Sequence, residues 1–450
     1  MLRMFFRRIR PGQLIVLVFL GIILLGAGLL CLPAAARSGR PTPFLTSLFT
    51  ATSATCVTGL IRVDTGTHWT MFGQVVILLL IQVGGLGLVT LTSFFALAAK
   101  RRMGFRDLRL LGESVSASGY SQATEVLKIV IRLAFLFEAI GIVLLACAFV
   151  PQFGLEGVWI SIFTAISAFC NAGFDLFGRF GPYSSLAPYV NNYYVQAVVM
   201  FLIMAGGLGF MVWVELAEYR KKRRLSLHAK VVLQFSVIFW VGGAVLLALL
   251  EWSNPRTMGG LSVPGKIMAA LFQSVSTRTA GMNTIDLAAC SPISKLLMSV
   301  LQFIGAAPGS TGGGVKVTTF AVLFLTIRSV AQGRDDCVIA DHHIESKTVY
   351  RALTIIVIGA LAAFGSAVVV YYNTSDAVSV IDAIFESCSA FGTVGLSVGV
   401  TARLKDGAKL LYMAVMFMGR VGPVSLAMSL TAKPDDNKRK IMPVGHINVG

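Results

Sequence analysis

The chain has 450 residues, of which 56% are hydrophobic and 13% charged, and it carries a formal net charge of +17 with a mean hydropathy of +0.78. This composition excludes an ordinary soluble domain, because so much apolar surface cannot be buried in a water-soluble core. The sequence instead predicts an all-α integral membrane protein.

Eight apolar runs reach the length of about 20 helical residues that crosses the hydrocarbon layer of a bilayer. In chain order they cover residues 13–33, 70–99, 125–150, 193–217, 229–252, 291–327, 350–372 and 407–430. The first run follows four arginines and ends on a proline and three alanines, so a cleavable signal peptide is the alternative for that run alone. Its apolar length favours a full span.

A repeated segment lies between the two spans of each consecutive pair. It carries a phenylalanine, a serine four residues later and then a glycine, with phenylalanine-to-glycine distances of 10, 10, 9 and 10 residues. The glycines are Gly59, Gly173, Gly281 and Gly395. Each segment is too short to cross the membrane, which indicates a re-entrant pore loop. The shorter third copy predicts a slightly different shape at that loop.

Repeats in register predict a repeated architecture. We expect eight transmembrane helices in four parallel M1-P-M2 repeats, like those of potassium channels, with pseudo-fourfold symmetry around one pore. The predicted repeats are residues 1–109, 110–224, 225–334 and 335–432, followed by a cytoplasmic tail at 433–450.

The distribution of basic residues predicts the orientation. Stretches 3–10, 100–109, 220–230, 328–351 and 433–440 hold 23 lysines and arginines, against 10 in the alternate loops. By the positive-inside rule these stretches and both termini face the cytoplasm of a multi-pass protein in the cell membrane. All four pore loops then enter from outside. The basic stretches suit anionic lipid headgroups, so nucleic acid is not needed to explain the charge.

A ring of such loops is suited to cations. A short helix that ends at mid-membrane directs its partly negative carbonyl end toward the axis, and the loop after it can replace the hydration shell of a cation with backbone carbonyls. Glycine supplies the backbone conformations that such a loop requires. The alternative is that the glycines serve only close packing between helices. Four copies in register make that interpretation weaker than a filter.

The pattern resembles the potassium transporters of the Trk/Ktr/HKT superfamily over essentially the whole chain, most of all the KtrB-type membrane subunit. The resemblance implies a selectivity filter made of one glycine per loop and the residues just before it. These filter segments are Val57, Thr58 and Gly59; Asn171, Ala172 and Gly173; Thr279, Ala280 and Gly281; and Thr393, Val394 and Gly395. Sodium-carrying members often have serine at the first glycine, so Gly59 favours potassium by resemblance.

The resemblance also implies the partners and cofactors. It predicts a homodimer on a cytoplasmic, nucleotide-binding regulatory ring (KtrA-like) that this chain does not contain. It predicts no bound cofactor and no metal apart from the transported K⁺, with Na⁺ as a possible activator. A group of acidic and histidine residues at 335–345 is interpreted as a solvated turn, and no metal is assigned there.

Glycines interrupt the second span of each repeat, and the largest interruption is residues 305–314, the gate loop. Its proline and glycines cannot continue a helix, and free backbone at membrane depth must face protein or a water-filled cavity. The resemblance implies an intramembrane gate here, formed by Gly309, Gly312, Gly313, Gly314, Lys316 and Arg420. A phosphate-binding loop fails on spacing, because Val315 separates the last glycine from the lysine.

Two further ionisable residues fall within apolar segments, Glu138 in the third span and Arg278 at the third pore loop. Such residues are costly in a membrane and are therefore functional candidates. An internal ion pair that only holds helices together is an equally good interpretation of each.

These patterns predict potassium uptake across the plasma membrane by an ion-translocating subunit that is not an enzyme. An alternating-access cation symporter is one competing hypothesis, since broken helices also occur in carriers. A sodium-permeable pore is a second, and a receptor or scaffold that conducts nothing is a third.

Overall fold

The computed structural model describes residues 11–87, 123–334, 337–339, 342–374 and 378–422. Several predictions from the sequence fall outside these ranges. They concern the inner end of the second span at 88–99, the basic stretch 100–109, Asp335, Asp336 and Asp341, and the tail 433–450.

The first predicted repeat contributes α1 (Pro11–Leu30), α2 (Phe44–Thr55), the single turn α3 (Thr65–His68) and α4 (Met71–Leu86). The short helix α2 packs against both α1 and α4. The Thr70 hydroxyl accepts from the Gly73 amide and caps α4, which ends at Gly87, where φ is 77°. A positive φ of this kind is a common way to end a helix.

The second predicted repeat contributes α5 (Ala123–Phe153), α6 (Leu155–Phe169), α7 (Tyr193–Gly207) and α8 (Phe210–Lys222). The axes of α7 and α8 differ in direction by 98°. The predicted span 193–217 is therefore not one continuous helix. The chain turns at Leu208 and Gly209, where the glycine has a φ of 88°.

The third predicted repeat contributes α9 (Leu227–Glu251), α10 (Val263–Ser276), α11 (Pro292–Phe303) and α12 (Val317–Ala331). Serine side chains cap α9, α10 and α11 by accepting from backbone amides of their first turns. The predicted span 291–327 is two helices separated by the gate loop, as its proline and glycines predicted.

The fourth predicted repeat contributes α13 (Ser346–Asn373), α14 (Val380–Gly392) and α15 (Asp406–Val421). A two-residue antiparallel ladder, β1 (Val338–Ile339) with β2 (His342–His343), precedes α13. Short 3₁₀ turns cover Pro33–Ala35, Phe177–Phe180, Ala187–Tyr189 and Thr401–Arg403.

Three helices within the described ranges are long and apolar enough to cross a membrane: Lys128–Phe153, Leu227–Glu251 and Ser346–Asn373. The bent pair α7 and α8 meets the same condition when it is taken as one span. The other described helices in the predicted spans are shorter. In the second and third predicted repeats the described chain is broken at glycines, between α7 and α8 and between α11 and α12. Large side chains such as Leu249, at 74% exposure, and Leu361, at 70%, point away from the protein, as lipid-facing residues do.

The four phenylalanines of the repeated segment, Phe49, Phe163, Phe272 and Phe385, are all fully buried. They lie on the short helices α2, α6, α10 and α14, which lead into the filter segments. Burial of a phenylalanine contributes about 1.5–3 kcal/mol. The residue that marks each repeat in the sequence therefore anchors each short helix in the core.

Candidate functional site

The backbone of each filter segment enters the left-handed region twice. The filter glycines have φ values of 87°, 70°, 78° and 92°, and the residues two positions before them have φ values of 55°, 57°, 76° and 51°. Those residues are Val57, Asn171, Thr279 and Thr393. A β-branched residue in this region is uncommon. The same uncommon conformation at four equivalent positions makes the segments structural copies of one another.

The four segments adjoin one another in a closed ring. A Cβ atom added to each filter glycine would meet, at 3.0 Å or less, the carbonyl oxygen just before the filter glycine of another segment. The pairs are Gly59 with Ala172, Gly173 with Ala280, Gly281 with Val394, and Gly395 with Thr58. Glycine suits these positions both by its φ and by the close approach, and a side chain there would require the neighbouring segment to shift.

The serine of each repeated segment anchors the filter segment that follows it. The hydroxyls of Ser53 and Ser389 accept from the amides of Gly59, at 3.1 Å, and Gly395, at 3.0 Å. In the other two repeats the serine hydroxyl instead donates to the carbonyl of the residue after the glycine, from Ser167 to Phe174 and from Ser276 to Met282. The sequence showed these serines in register but gave no indication of this role.

The third copy is one residue shorter, and the structure accommodates this difference at the end of the short helix α10. The Ala280 amide donates to the Ser276 carbonyl four residues earlier, whereas the equivalent amides of the other copies donate five residues back. The φ of Gly281, 78°, still lies within the range of the other three filter glycines. The difference predicted for the third loop is thus found in the helix end and not at the glycine.

Backbone hydrogen bonds join the two ends of the gate loop, at residues 303–305 and 315, which we call its neck. The Gly305 amide donates to Val315, at 2.7 Å, and the Val315 amide donates to Phe303, at 3.3 Å. Amides within the loop donate to glycines of the second and fourth predicted repeats, from Ala307 to Gly207, from Thr311 to Gly206 and from Gly314 to Gly419. The loop is therefore fixed between two other interrupted spans.

The gate loop also lies directly against two filter segments. A Cβ on Gly312 would collide with the side chain of Thr279, and one on Gly313 would collide with the side chain of Thr393. The backbone of Gly309 and Gly314 is left-handed, with φ values of 66° and 67°. The glycines of the loop thus permit contact with the filter that larger residues would prevent.

Both basic residues assigned to the gate bind carbonyls of the gate loop. Lys316 Nζ donates to Gly312 O at 2.5 Å. The Arg420 guanidinium donates to Thr311 O and to the carbonyls of Gly84 and Gly85 on α4, the last at 3.1 Å. Arg420 therefore ties the gate loop to α4, in the second span of the first predicted repeat.

Neither Arg278 nor Glu138 forms an ion pair with another described residue. Arg278 Nη2 donates to Gly305 O at 2.6 Å, and its guanidinium lies 4.5 Å from the centre of the Phe239 ring. Glu138 Oε1 accepts from Gln82 Nε2 at 2.8 Å and from the Cys170 thiol at 3.9 Å. Both side chains thus use hydrogen bonds to neutral groups next to the filter or the gate loop.

Sequence reasoning missed a pair of carboxyl groups in the loops between the filter segments and the second spans, outside the membrane-spanning segments. The Asp175 carboxylate accepts from the Phe177 amide at 2.9 Å, and Asp64 accepts from the amides of Thr67, at 2.9 Å, and Tyr183, at 3.1 Å. Burial raises the pKa of Asp175 to about 7, the Phe177 amide opposes that rise, and the nearby Asp64 adds to it. No periodicity or motif marks either residue.

Comparison with known proteins agrees with this architecture. The family profile TrkH, described as a cation transport protein, matches residues 18–441. The chain is 38% identical over 426 residues to the Ktr system potassium uptake protein B of Vibrio alginolyticus, covering 94% of this chain and 91% of the relative. It is 37% identical over 430 residues to the potassium/sodium uptake protein NtpJ of Enterococcus hirae, covering 95% and 94%.

A solved structure shares the fold. The crystal structure of the potassium transporter TrkH from Vibrio parahaemolyticus superposes with a TM-score of 0.73 at 18% identity, covering 93% of this chain and 84% of the other. The prediction of a transporter rather than an enzyme is confirmed by the family match. This chain is a multi-pass membrane protein that belongs to the TrkH family of cation transport proteins.

Proposed function

We propose that this protein takes up potassium across the plasma membrane through one pore lined by four filter segments. The observation that carries the proposal is the closed ring of filter glycines and carbonyls at the ends of four short helices. Backbone carbonyls around an axis can replace the hydration shell of a cation. We assign the four units to parallel M1-P-M2 repeats, with both termini in the cytoplasm.

Potassium is the favoured ion for two reasons. The relatives from Vibrio alginolyticus and Bacillus subtilis are named potassium uptake proteins, and Gly59 stands where sodium-carrying members often have serine. The Enterococcus hirae relative is named for both potassium and sodium. A sodium-permeable pore is therefore the second candidate for the transported ion.

We assign gating to the loop at 305–314, with Lys316 and Arg420 as the residues that hold it. Its support is the contact of Gly312 and Gly313 with the filter threonines and the tie from Arg420 to α4. A loop held by hydrogen bonds to carbonyls can be released when those bonds break, without unfolding the helices around it. Relatives named as components of a Ktr system support a KtrA-type cytoplasmic partner, which we assign to biasing this loop. A homodimer is part of the same proposal, and it rests on the family resemblance alone.

An alternating-access symporter is the second candidate mechanism. The bend of 98° between α7 and α8 favours it, because discontinuous helices form solute sites in carriers. A carrier requires a change of access at the site for every transport cycle, whereas the ring provides one fixed passage. The pore remains the better match to the geometry.

Flux of ⁸⁶Rb⁺ and ²²Na⁺ into proteoliposomes tests the proposal with Gly59→Ser. Its Cβ would approach the Ala172 carbonyl to 2.5 Å, so we expect the sodium-to-rubidium flux ratio to rise. Gly21→Ser is the matched control, because a Cβ at Gly21 meets nothing within 4 Å. An unchanged flux ratio in Gly59→Ser would show that the first filter segment does not select the ion.

A further inference from the structure

Three of the four units join the second span directly to the end of the short helix. A Cβ added to Gly84, Gly206 or Gly419 would collide with the carbonyl oxygen of the residue four positions before the filter glycine of the same unit. The carbonyls belong to Thr55, Phe169 and Phe391. In these units the second span is thus in backbone contact with the end of the short helix that leads into the filter segment.

The third unit lacks this contact and has an arginine in its place. A Cβ on Gly305 would meet Gly313 of the gate loop instead of the short helix α10. The connection between α10 and Gly305 is made by Arg278, whose Nη2 donates to the Gly305 carbonyl at 2.6 Å. The residues at the equivalent position of the other units are Cys56, Cys170 and Gly392, none of which can reach so far.

The surroundings of Arg278 fix where its guanidinium lies. The residue is 4% exposed, and the ring of Phe239 on α9 faces its guanidinium. Ser274, one helical turn earlier, donates to the Trp240 carbonyl at 2.7 Å and ties α10 to the same part of α9. The helix end that carries Arg278 is therefore held against α9, and its guanidinium contacts the neck of the gate loop from that position.

Packing alone does not account for a guanidinium in this place. Nε and Nη1 have no hydrogen-bond acceptor among the described residues, and buried donors without acceptors are costly. An apolar side chain of similar length would fill the space without that cost. The one charge-assisted hydrogen bond that the arginine does make is directed at the gate loop.

We propose that Arg278 is a positioning residue that couples the third filter segment to the gate loop. Two consecutive residues contact the loop at two places, Arg278 at the neck through Gly305 and Thr279 at Gly312. Displacement of the loop would then be transmitted to the filter segment at 279–281, and an ion in the filter would in turn stabilise the closed loop. The inference rests on the gating function proposed above for that loop.

Hydrogen–deuterium exchange of the full chain in lipid nanodiscs tests the coupling. The amides of Gly305, Ala307, Gly314 and Val315 are all hydrogen-bonded, so peptides spanning 303–317 report on the closed loop. We expect Arg278→Gln to speed exchange in these peptides by about tenfold, the change expected when a charge-assisted hydrogen bond is lost. Arg278→Lys, which retains one charged donor, should restore part of the protection.

The control is Arg256→Gln, an exposed arginine in the outer loop of the same unit, which should leave exchange in 303–317 unchanged. If Arg278→Gln cannot be recovered from membranes, Phe239→Leu removes the ring under the guanidinium and should give a smaller increase in the same peptides. The coupling would be overturned if peptides 303–317 exchanged at the wild-type rate in these variants. It would also be overturned if the exchange rate in α5 and α13 rose by the same factor.

Flux separates this inference from the gating function itself. Faster exchange at 303–317 with raised ⁸⁶Rb⁺ flux supports both the coupling and the gate. If removal of the gate loop glycines leaves flux unchanged while Arg278→Gln still speeds exchange there, the coupling holds and the gating function fails. A shifted sodium-to-rubidium ratio with unchanged loop exchange would overturn the coupling, because Arg278 would then act on the filter alone.

Discussion

Val57, Thr279 and Thr393 hold a left-handed backbone conformation that their β-branched side chains disfavour. Asn171 shares this conformation, which asparagine tolerates better. Left-handed geometry costs an L-residue about 1–2 kcal/mol, and it persists only where the surroundings impose it. The anchoring serines belong to those surroundings, since each fixes a backbone group at or just after the filter glycine. The filter conformation is thus a property of the whole segment and not of its glycine alone.

Loss of a serine anchor should loosen the filter. In Ser389→Ala the buried Gly395 amide loses its acceptor, which costs about 1–3 kcal/mol. We expect a lower midpoint of thermal unfolding and a higher sodium-to-rubidium flux ratio. Ser366→Ala is the control, because this buried serine donates to the Ala363 carbonyl within its own helix. Equal flux ratios in the two variants would contradict the role given to Ser389.

The Asp175 carboxyl predicts a dependence of stability on pH. Its folded-state pKa of about 7 lies above the ordinary value, so folding favours the protonated form. The stabilisation is complete below the ordinary pKa of aspartate and is lost as pH rises through about 7. Asp175→Asn keeps an acceptor for the Phe177 amide without the charge.

We expect Asp175→Asn to unfold several degrees above the wild type at pH 8, with the difference narrowing toward pH 5, as measured by intrinsic fluorescence during heating. Asp286→Asn is a matched control. Asp286 is exposed, and its carboxylate likewise accepts from the amide two residues later, that of Ala288, at 2.9 Å. A difference that is the same at both pH values would show that the Asp175 charge does not matter.

At the scale of elements, the sequence predicted the helices and helix breaks that depend on local residue patterns. Apolar run length predicted the long helices. Glycines predicted the break in α7–α8, and glycines with a proline predicted the break in α11–α12. The sequence did not predict that the chain between the broken helices pairs with other units, because those contacts join distant residues. Arg420 and Gly84 are 336 residues apart in the chain, and no pattern in a single sequence links them.

The gate loop allows a prediction at this scale. Deletion of Gly312 to Gly314 removes the contacts with Thr279 and Thr393 and the acceptor of Lys316. We expect basal ⁸⁶Rb⁺ flux to rise severalfold, because the loop can no longer lie against the filter. A matched deletion of residues 332–334, an exposed turn after α12, should leave flux unchanged. Wild-type flux in the gate-loop deletion would remove the loop as the gate.

At the scale of the whole molecule, the family and membrane class follow from composition, repeats and the glycine register, and the family match confirmed them. Which filter segments adjoin one another is not encoded in any local pattern. It follows from long-range packing, as does the burial of Asp175 and Asp64 in the loops after the filter segments. The sequence therefore indicated which residues form the candidate site but not how the gate loop and filter are held together.

A fixed pore predicts uptake that is driven by membrane potential alone. An inside-negative potential of 100 mV is worth about 2.3 kcal/mol per charge, which corresponds to roughly a fifty-fold accumulation of ⁸⁶Rb⁺. We expect proteoliposomes to approach this plateau with or without a sodium gradient. Vesicles without protein are the control, and a plateau that scales with the sodium gradient would instead establish symport.

All four filter segments belong to one polypeptide, and this has a consequence for how the site can vary. In a tetramer of identical subunits, any change in the gene appears four times around the axis and distorts every side at once. Here a change affects a single filter segment, while the other three segments of the ring keep their sequence. The residue missing from the third copy is an example, since the third segment alone is shortened and Gly281 still has a φ within the range of the other three filter glycines.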